Sequence, residues 1–273
     1  MKIKGKWTKK KWAMIAALGP GVRNYRGKKT LFYKGEKLWE GDYVFGGPLV
    51  YGQRKRNTWQ VIIILPGVEI IPAWTFYDCK NVKTVIMSDT VKRIEDNAFW
   101  CCDRLVVVRL SKNLEYIGDM AFSSCKRLRS IFIPPSCREI EYRAFDECHQ
   151  LIILNVPQQT QLGQDVIANT KLIEASHFEA DEDGEYENQE EIKTWIKNIN
   201  QGEEHALHRA CSSFNPRGDR IYAIVKRVGI QAFREPNSIG IAPAQYLEAN
   251  YFGRVDQTKI INRYILNLMG EIV

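Results

Sequence analysis

One phrase of 23 residues, written four times in succession, constrains this chain more than any other feature. Residues 68–90 read VEIIPAWTFYDCKNVKTVIMSDT, 91–113 VKRIEDNAFWCCDRLVVVRLSKN, 114–136 LEYIGDMAFSSCKRLRSIFIPPS and 137–159 CREIEYRAFDECHQLIILNVPQQ. A fixed period of this length is the mark of a solenoid, because one coil cannot cover its own apolar face and must stack on the next. Ile71, Ile94, Ile117 and Ile140 share a column, as do Phe76, Phe99, Phe122 and Phe145, and Cys79, Cys102, Cys125 and Cys148. Each column is expected to run buried along the stack.

The last third of each phrase alternates. Val85 and Met87 correspond to Val108 and Leu110, to Ile131 and Ile133, and to Leu154 and Val156. Period-two alternation rich in β-branched residues reads as a half-buried strand of a parallel sheet. The middle third, DMAFSSC for example, reads as the turn that returns the chain. Partial coils frame the four: TWQVIIILPG supplies a strand without its returning half, and TQLGQDVIANTKLIEASHF fits after a one-residue deletion. That fit puts Leu162, Ile167, Thr170 and Ile173 in the Ile, Phe, Cys and Leu columns.

With these slots filled, the phrase resembles the BspA-type leucine-rich repeat, whose Ile-Gly-x-x-Ala-Phe-x-x-Cys-x-x-Leu core is matched over residues 59–178. The first copy departs, with Pro72 at the Gly position and Thr75 at the Ala position. The resemblance implies an α/β solenoid, right-handed, with a parallel strand face and a usual role in binding other proteins. The strand slots that point away from the core are Ile63, Ile86, Arg109, Phe132 and Asn155, accompanied by Val61, Thr84, Val107, Ser130 and Ile153. With rungs about 4.8 Å apart they would form one exposed, largely apolar patch, the expected partner-binding surface unless a terminal segment folds over it. A second outward column, Glu69, Lys92, Glu115 and Arg138, alternates in sign and suggests a structural ladder of ion pairs.

Charge divides the chain. Residues 1–56 hold fifteen of the 39 basic and three of the 32 acidic residues, so this end carries +12 and the remainder −5. Six lysines lie between residues 2 and 11, and RKR at 54–56, with Trp7, Trp12 and Tyr25 interleaved. Such a stretch would give salt-sensitive phosphate contacts without base readout, so nucleic acid is the second partner class. The apolar run Trp12 to Leu18 barely reaches the length of a signal-peptide core and reads as a short amphipathic helix ended by Gly19-Pro20-Gly21. No apolar run approaches the roughly 18 residues of a membrane span. Seven cysteines, an odd number, favour free thiols and an intracellular setting, cytoplasmic or nuclear.

Residues 179–191 carry eight acidic side chains and no basic one, as a solvated linker or a counterpart of the basic end. Beyond it, HALHRACSSFNPRGDRIYAIVKRVG reads as two short helices joined by a turn. Ala206-Leu207-His208 and GIAPAQYL at 240–247 resemble the ankyrin phrases Pro-Leu-His and Gly-x-Thr-Pro-Leu, at a spacing of 37 from Ala206 to Pro243. Ile260, Ile261, Tyr264, Ile265 and Leu268 share one helical face, a candidate terminal cap. The expected division is thus a basic cap (1–58), the solenoid (59–178), an acidic linker (179–192) and a small helical, ankyrin-like domain (193–273).

No chemistry-bearing constellation emerges. Phosphate-loop, dinucleotide and nucleophile-elbow motifs are missing from the sequence. His205, His208 and Cys211 fall near one helical face, but a fourth zinc ligand is not indicated and a structural histidine is the simpler reading. The expected function is therefore a non-enzymatic module, without metal or cofactor, that binds a protein through the strand face; a purely structural, self-associating repeat protein is the third class.

Overall fold

The computed structural model describes residues 59–251, apart from 65, 183, 184, 203 and 215, together with the backbone of three strands between 30 and 45. The expected helix at 12–18, the lysine-rich tail and the apolar face at 260–268 lie outside the described residues.

Each 23-residue phrase forms one coil, and about four coils stack. The strand column is built from β4 (Val61–Ile64), β6 (Thr84–Met87), β8 (Val107–Arg109), β10 (Ser130–Phe132) and β12 (Ile153–Asn155). Pairing is parallel and in the expected register, Ile63 opposite Ile86 and Ile86 opposite Arg109. Ahead of these strands, the hairpin of β1 (Thr30–Tyr33) and β2 (Glu36–Glu40) leads to β3 (Tyr43–Phe45), which adds a parallel strand to the edge of β4. A second column of two-residue strands, β5 (Ile70–Ile71), β7 (Arg93–Ile94), β9 (Tyr116–Ile117), β11 (Glu139–Ile140) and β13 (Gln161–Leu162), runs unbroken along the stack.

Between the columns the phenylalanines stack. Phe76, Phe99, Phe122 and Phe145 are at most 1% exposed, with successive ring centroids 5.1, 5.1 and 5.7 Å apart. Burial of each ring contributes about 1.5–3 kcal/mol, with a smaller addition from ring contact. The cysteine column lies beside it. Cys102, Cys125 and Cys148 donate Sγ–H to the carbonyls of Phe76, Phe99 and Phe122 at 3.3, 3.4 and 3.2 Å, and burial pushes the Cys102 and Cys125 thiols far above the ordinary range. These are packing residues.

The turn in each coil uses two left-handed residues, one at Trp74, Asn97, Met120 and Arg143 (φ 50–63°) and one at Asp78, Cys101, Ser124 and Glu147 (φ 54–60°). Non-glycine residues enter this region at a cost. Here the conformation turns alternate N–H groups along the stack, so that Trp74, Phe76 and Asp78 donate to Asp96, Ala98 and Trp100 of the next coil at 3.0, 2.8 and 2.8 Å. A third hydrogen-bonded edge results without a strand.

Gly118 lies against the preceding coil, where an added Cβ would sit 2.8 Å from the Asp96 backbone nitrogen and closer still to its side chain. Gly118→Ala is expected to destabilise the repeat region by about 1–3 kcal/mol, read as a lowered denaturation midpoint with an unchanged slope.

In the last coil the slots assigned from the sequence are all buried, and Thr170 caps α1 (Lys171–Glu174) by accepting from Ile173 N–H at 3.3 Å. Helix α2 (Gln189–Asn198), which the sequence reading divides between linker and helical domain, packs as part of the solenoid: Ile192, Ile196 and Ile199 join its core. Gln189 anchors it by exchanging two hydrogen bonds with Asp165, at 3.0 Å and 2.5 Å. Much of the acidic stretch is exposed, with Glu185 paired to Arg143 at 3.2 Å. Helices α3 (Ala206–Ser212) and α4 (Gly218–Val228), a 3₁₀ turn (Ile230–Arg234) and α5 (Pro243–Tyr251) then surround a second core of Leu207, Cys211, Ile221, Val225, Phe233 and Tyr246.

Of the charged ladder, Lys92 meets Glu69 at 3.0 Å, whereas Glu115 and Arg138 form no ion pair among the described residues. No helix among the described residues is long and apolar enough to cross a membrane.

Candidate functional site: a cleft at a seam in the strand face

The expected patch is only partly open. Ile63 (1% exposed), Ile86 (8%) and Ile153 (4%) are buried, while Thr84, Val107, Arg109, Ser130, Phe132 and Asn155 are half-buried. For Ile153 the cause is clear, since it belongs to the second core and the helical unit packs over it. Phe132 touches both cores, and α5 lies against β10. Ile63 and Ile86 belong to neither core cluster despite their burial. An uninterrupted exposed strip of ten side chains is therefore corrected to a shorter open stretch centred on β8 and β10.

That stretch contains a seam. Val106 and Val107 N–H groups donate to Lys83 O at 3.0 and 3.1 Å, and Ile152 and Ile153 donate to Arg129 O at 3.1 and 3.2 Å, but no backbone hydrogen bond joins 106–110 to 129–133. The strand column is consequently two sheets, β3-β4-β6-β8 and β10-β12, while the second column stays paired at the same level, Tyr116 opposite Glu139. The coils part at one edge and remain tied at the other.

A cleft of about 320 Å³ opens there. Val106 to Leu110 form one wall, Arg129, Ser130 and Phe132 another, and Phe214, Gln245, Glu248 and Ala249 close it from the helical unit. Five expected residues come together in it, namely Val107, Arg109, Ser130, Phe132 and Ile153; Ile63, Thr84, Ile86 and Asn155 do not line it. The slot missed from the sequence is the one just before each strand, Lys83, Val106, Arg129 and Ile152. Val106, 39% exposed, is its informative member, because an exposed valine in the midst of a repeat marks a surface that is not core. The contribution of Phe214, Gln245 and Glu248 carries no local sequence signal, being set by how two units dock.

His208 is 3% exposed, with Nε2 3.1 Å from Ile241 O, and burial holds its pKa below the ordinary value. A neutral, hydrogen-bonded imidazole is a structural element. Among the described residues no group of three or more His, Cys, Asp or Glu side chains is placed to hold a metal.

No curated protein matches the chain. Among solved structures it is similar to a leucine rich cell surface protein from Faecalibacterium prausnitzii A2-165, at 30% identity over 37% of this chain and 27% of that one, with a TM-score of 0.36. It is also similar to leucine-rich repeat proteins from Bacteroides ovatus ATCC 8483 (19% identity, 52% of this chain and 48% of that one, TM-score 0.28) and Eubacterium ventriosum ATCC 27560 (19%, 47% and 35%, TM-score 0.38). The chain thus spans less than half the length of each of these three. Residues 55–174 match, in six copies, the family model described as the BspA type leucine rich repeat region.

Proposed function

We propose that this chain is a non-enzymatic module that binds another protein through the open part of its strand face, with the cleft at the seam as the centre of contact. The observation that carries this reading is the combination of a parted strand ladder with an apolar, solvent-open cleft between two units. Clefts between packed units are common binding sites, and one near 300 Å³ suits a few side chains better than a large cofactor. Helices α3 to α5 are read as ankyrin-like, supported by Pro243 at the start of α5 and by the buried His208 bonded across to Ile241 O. An intracellular setting is supported by seven cysteines, six of them buried and none in a disulfide among the described residues. The nucleic-acid reading rests on residues 2–11 and 54–56, outside the described residues.

The direct test is capture of partners from nuclease-treated lysate by the intact chain and by a Val106→Asp, Arg109→Glu double variant. Val106 is chosen because it is exposed, so its replacement leaves both cores whole. Loss of a protein partner in the variant, with thermal unfolding unchanged, is the expected result; identical capture by both chains places the function elsewhere.

A further inference from the structure

We infer that the cleft receives a short extended peptide segment in which a large apolar side chain has a carboxylate within about two residues of it; this rests on the strand-face reading above. The apolar requirement comes from Val106, Val108 and Phe132, which leave room for roughly one or two large side chains.

The acidic requirement comes from the cleft wall itself. Arg129 is exposed there and forms no side-chain ion pair among the described residues, whereas Lys80, Lys92, Lys112 and Lys126 pair with Asp78, Glu69, Asp89 and Asp103 at 3.0–3.4 Å.

Spacing sets the pattern. Val106 and Arg129 occupy one slot on the two coils that part at the seam, so the exposed valine and the arginine stand on facing walls of the cleft. An extended peptide advances about 3.3 Å per residue, so a carboxylate one or two residues from the apolar anchor is within reach of Arg129. On the opposite lip Glu248 is exposed and repels a continuous polyanion, which favours a peptide with separate carboxylates over nucleic acid.

The test is selection of a displayed random library of peptides about twelve residues long on the immobilised full chain. The enriched peptide is then titrated by fluorescence anisotropy against the wild type and against Val106→Asp and Arg129→Glu, both at exposed positions, with unchanged melting curves as the control on folding. Enrichment of Leu, Ile, Phe or Met beside Asp or Glu, with roughly tenfold or greater loss of affinity in each variant, is expected. Apolar peptides without acids, lost with Val106→Asp but indifferent to Arg129→Glu, overturn this inference while leaving the strand-face reading intact. Peptides indifferent to both substitutions overturn both readings, and failure to enrich any peptide overturns the inference. Tight binding of a labelled single-stranded oligonucleotide that Arg129→Glu abolishes would assign Arg129 to phosphate and overturn it too.

Discussion

Phe122→Ala is expected to destabilise the repeat region by about 3–5 kcal/mol. The ring is fully buried, stacked on Phe99 at 5.1 Å and Phe145 at 5.7 Å, and its loss leaves a cavity in the middle of the column. Little can collapse into it, because the backbone on both sides is held by Phe122 N–H to Ala144 O and Phe99 N–H to Ala121 O at 2.9 and 2.8 Å. In a stack where each coil contacts only its neighbours, a weakened interface also lowers cooperativity. Chemical denaturation followed by circular dichroism checks this: the midpoint should fall, with a broadened or two-step transition. A loss below about 1 kcal/mol would mean that the phenylalanine column is not what couples the coils.

The second large effect is confined to the helical unit. Asn237 is buried at 6% exposure and makes four hydrogen bonds, donating to Asn200 Oδ1 (2.7 Å) and Tyr246 Oη (3.0 Å) and accepting from the N–H groups of Ile239 (3.2 Å) and Ile241 (3.0 Å). Asn237→Ala removes all four and leaves two backbone donors without a partner, at a cost of about 2–4 kcal/mol. Hydrogen exchange resolves where that cost falls. The amides of Ile239 and Ile241 and those of α5 should exchange much faster, whereas Phe99 and Phe122 in the solenoid should keep their protection. Equal loss of protection in both regions would show that the two cores unfold as one unit.

The repeat was legible because every coil faces nearly the same environment, so each buried slot is written several times. Ile117, Phe122 and Cys125 are predictable from Ile94, Phe99 and Cys102, and all six are fully buried. Even the irregular last coil could be placed, since Leu162 pairs with Ile140 despite the missing residue. Departures from the repeat were not legible in this way. Strand alternation fixes which side chains leave the core, but it does not say that α5 will lie over Phe132 and Ile153. Nor does it place α2 on the last coil, because Ile192 and Ile196 read locally as one stripe of an amphipathic helix with no stated partner. The seam between β8 and β10 is similarly silent: VVVRL and RSIFI both have strand composition, and the parting of their edges is a property of the assembled stack.

The left-handed turns have a consequence for how such a chain changes length. The N–H groups at 74, 76 and 78 and their carbonyl partners at 96, 98 and 100 stand in fixed offset, repeated in coil after coil, so all hydrogen-bonded edges share one period. An insertion of one residue within a turn breaks that period for everything downstream, while an insertion of one whole phrase preserves it. The one-residue shortening between Ile140 and Leu162 falls after Thr160, whose N–H still donates to Pro157 O as that of Cys137 does to Pro134 O, and Leu162 nonetheless pairs with Ile140. Duplication and loss of complete phrases is thus the step size by which a chain of this construction can be lengthened or shortened, and the turn residues enforce it as strictly as the core does.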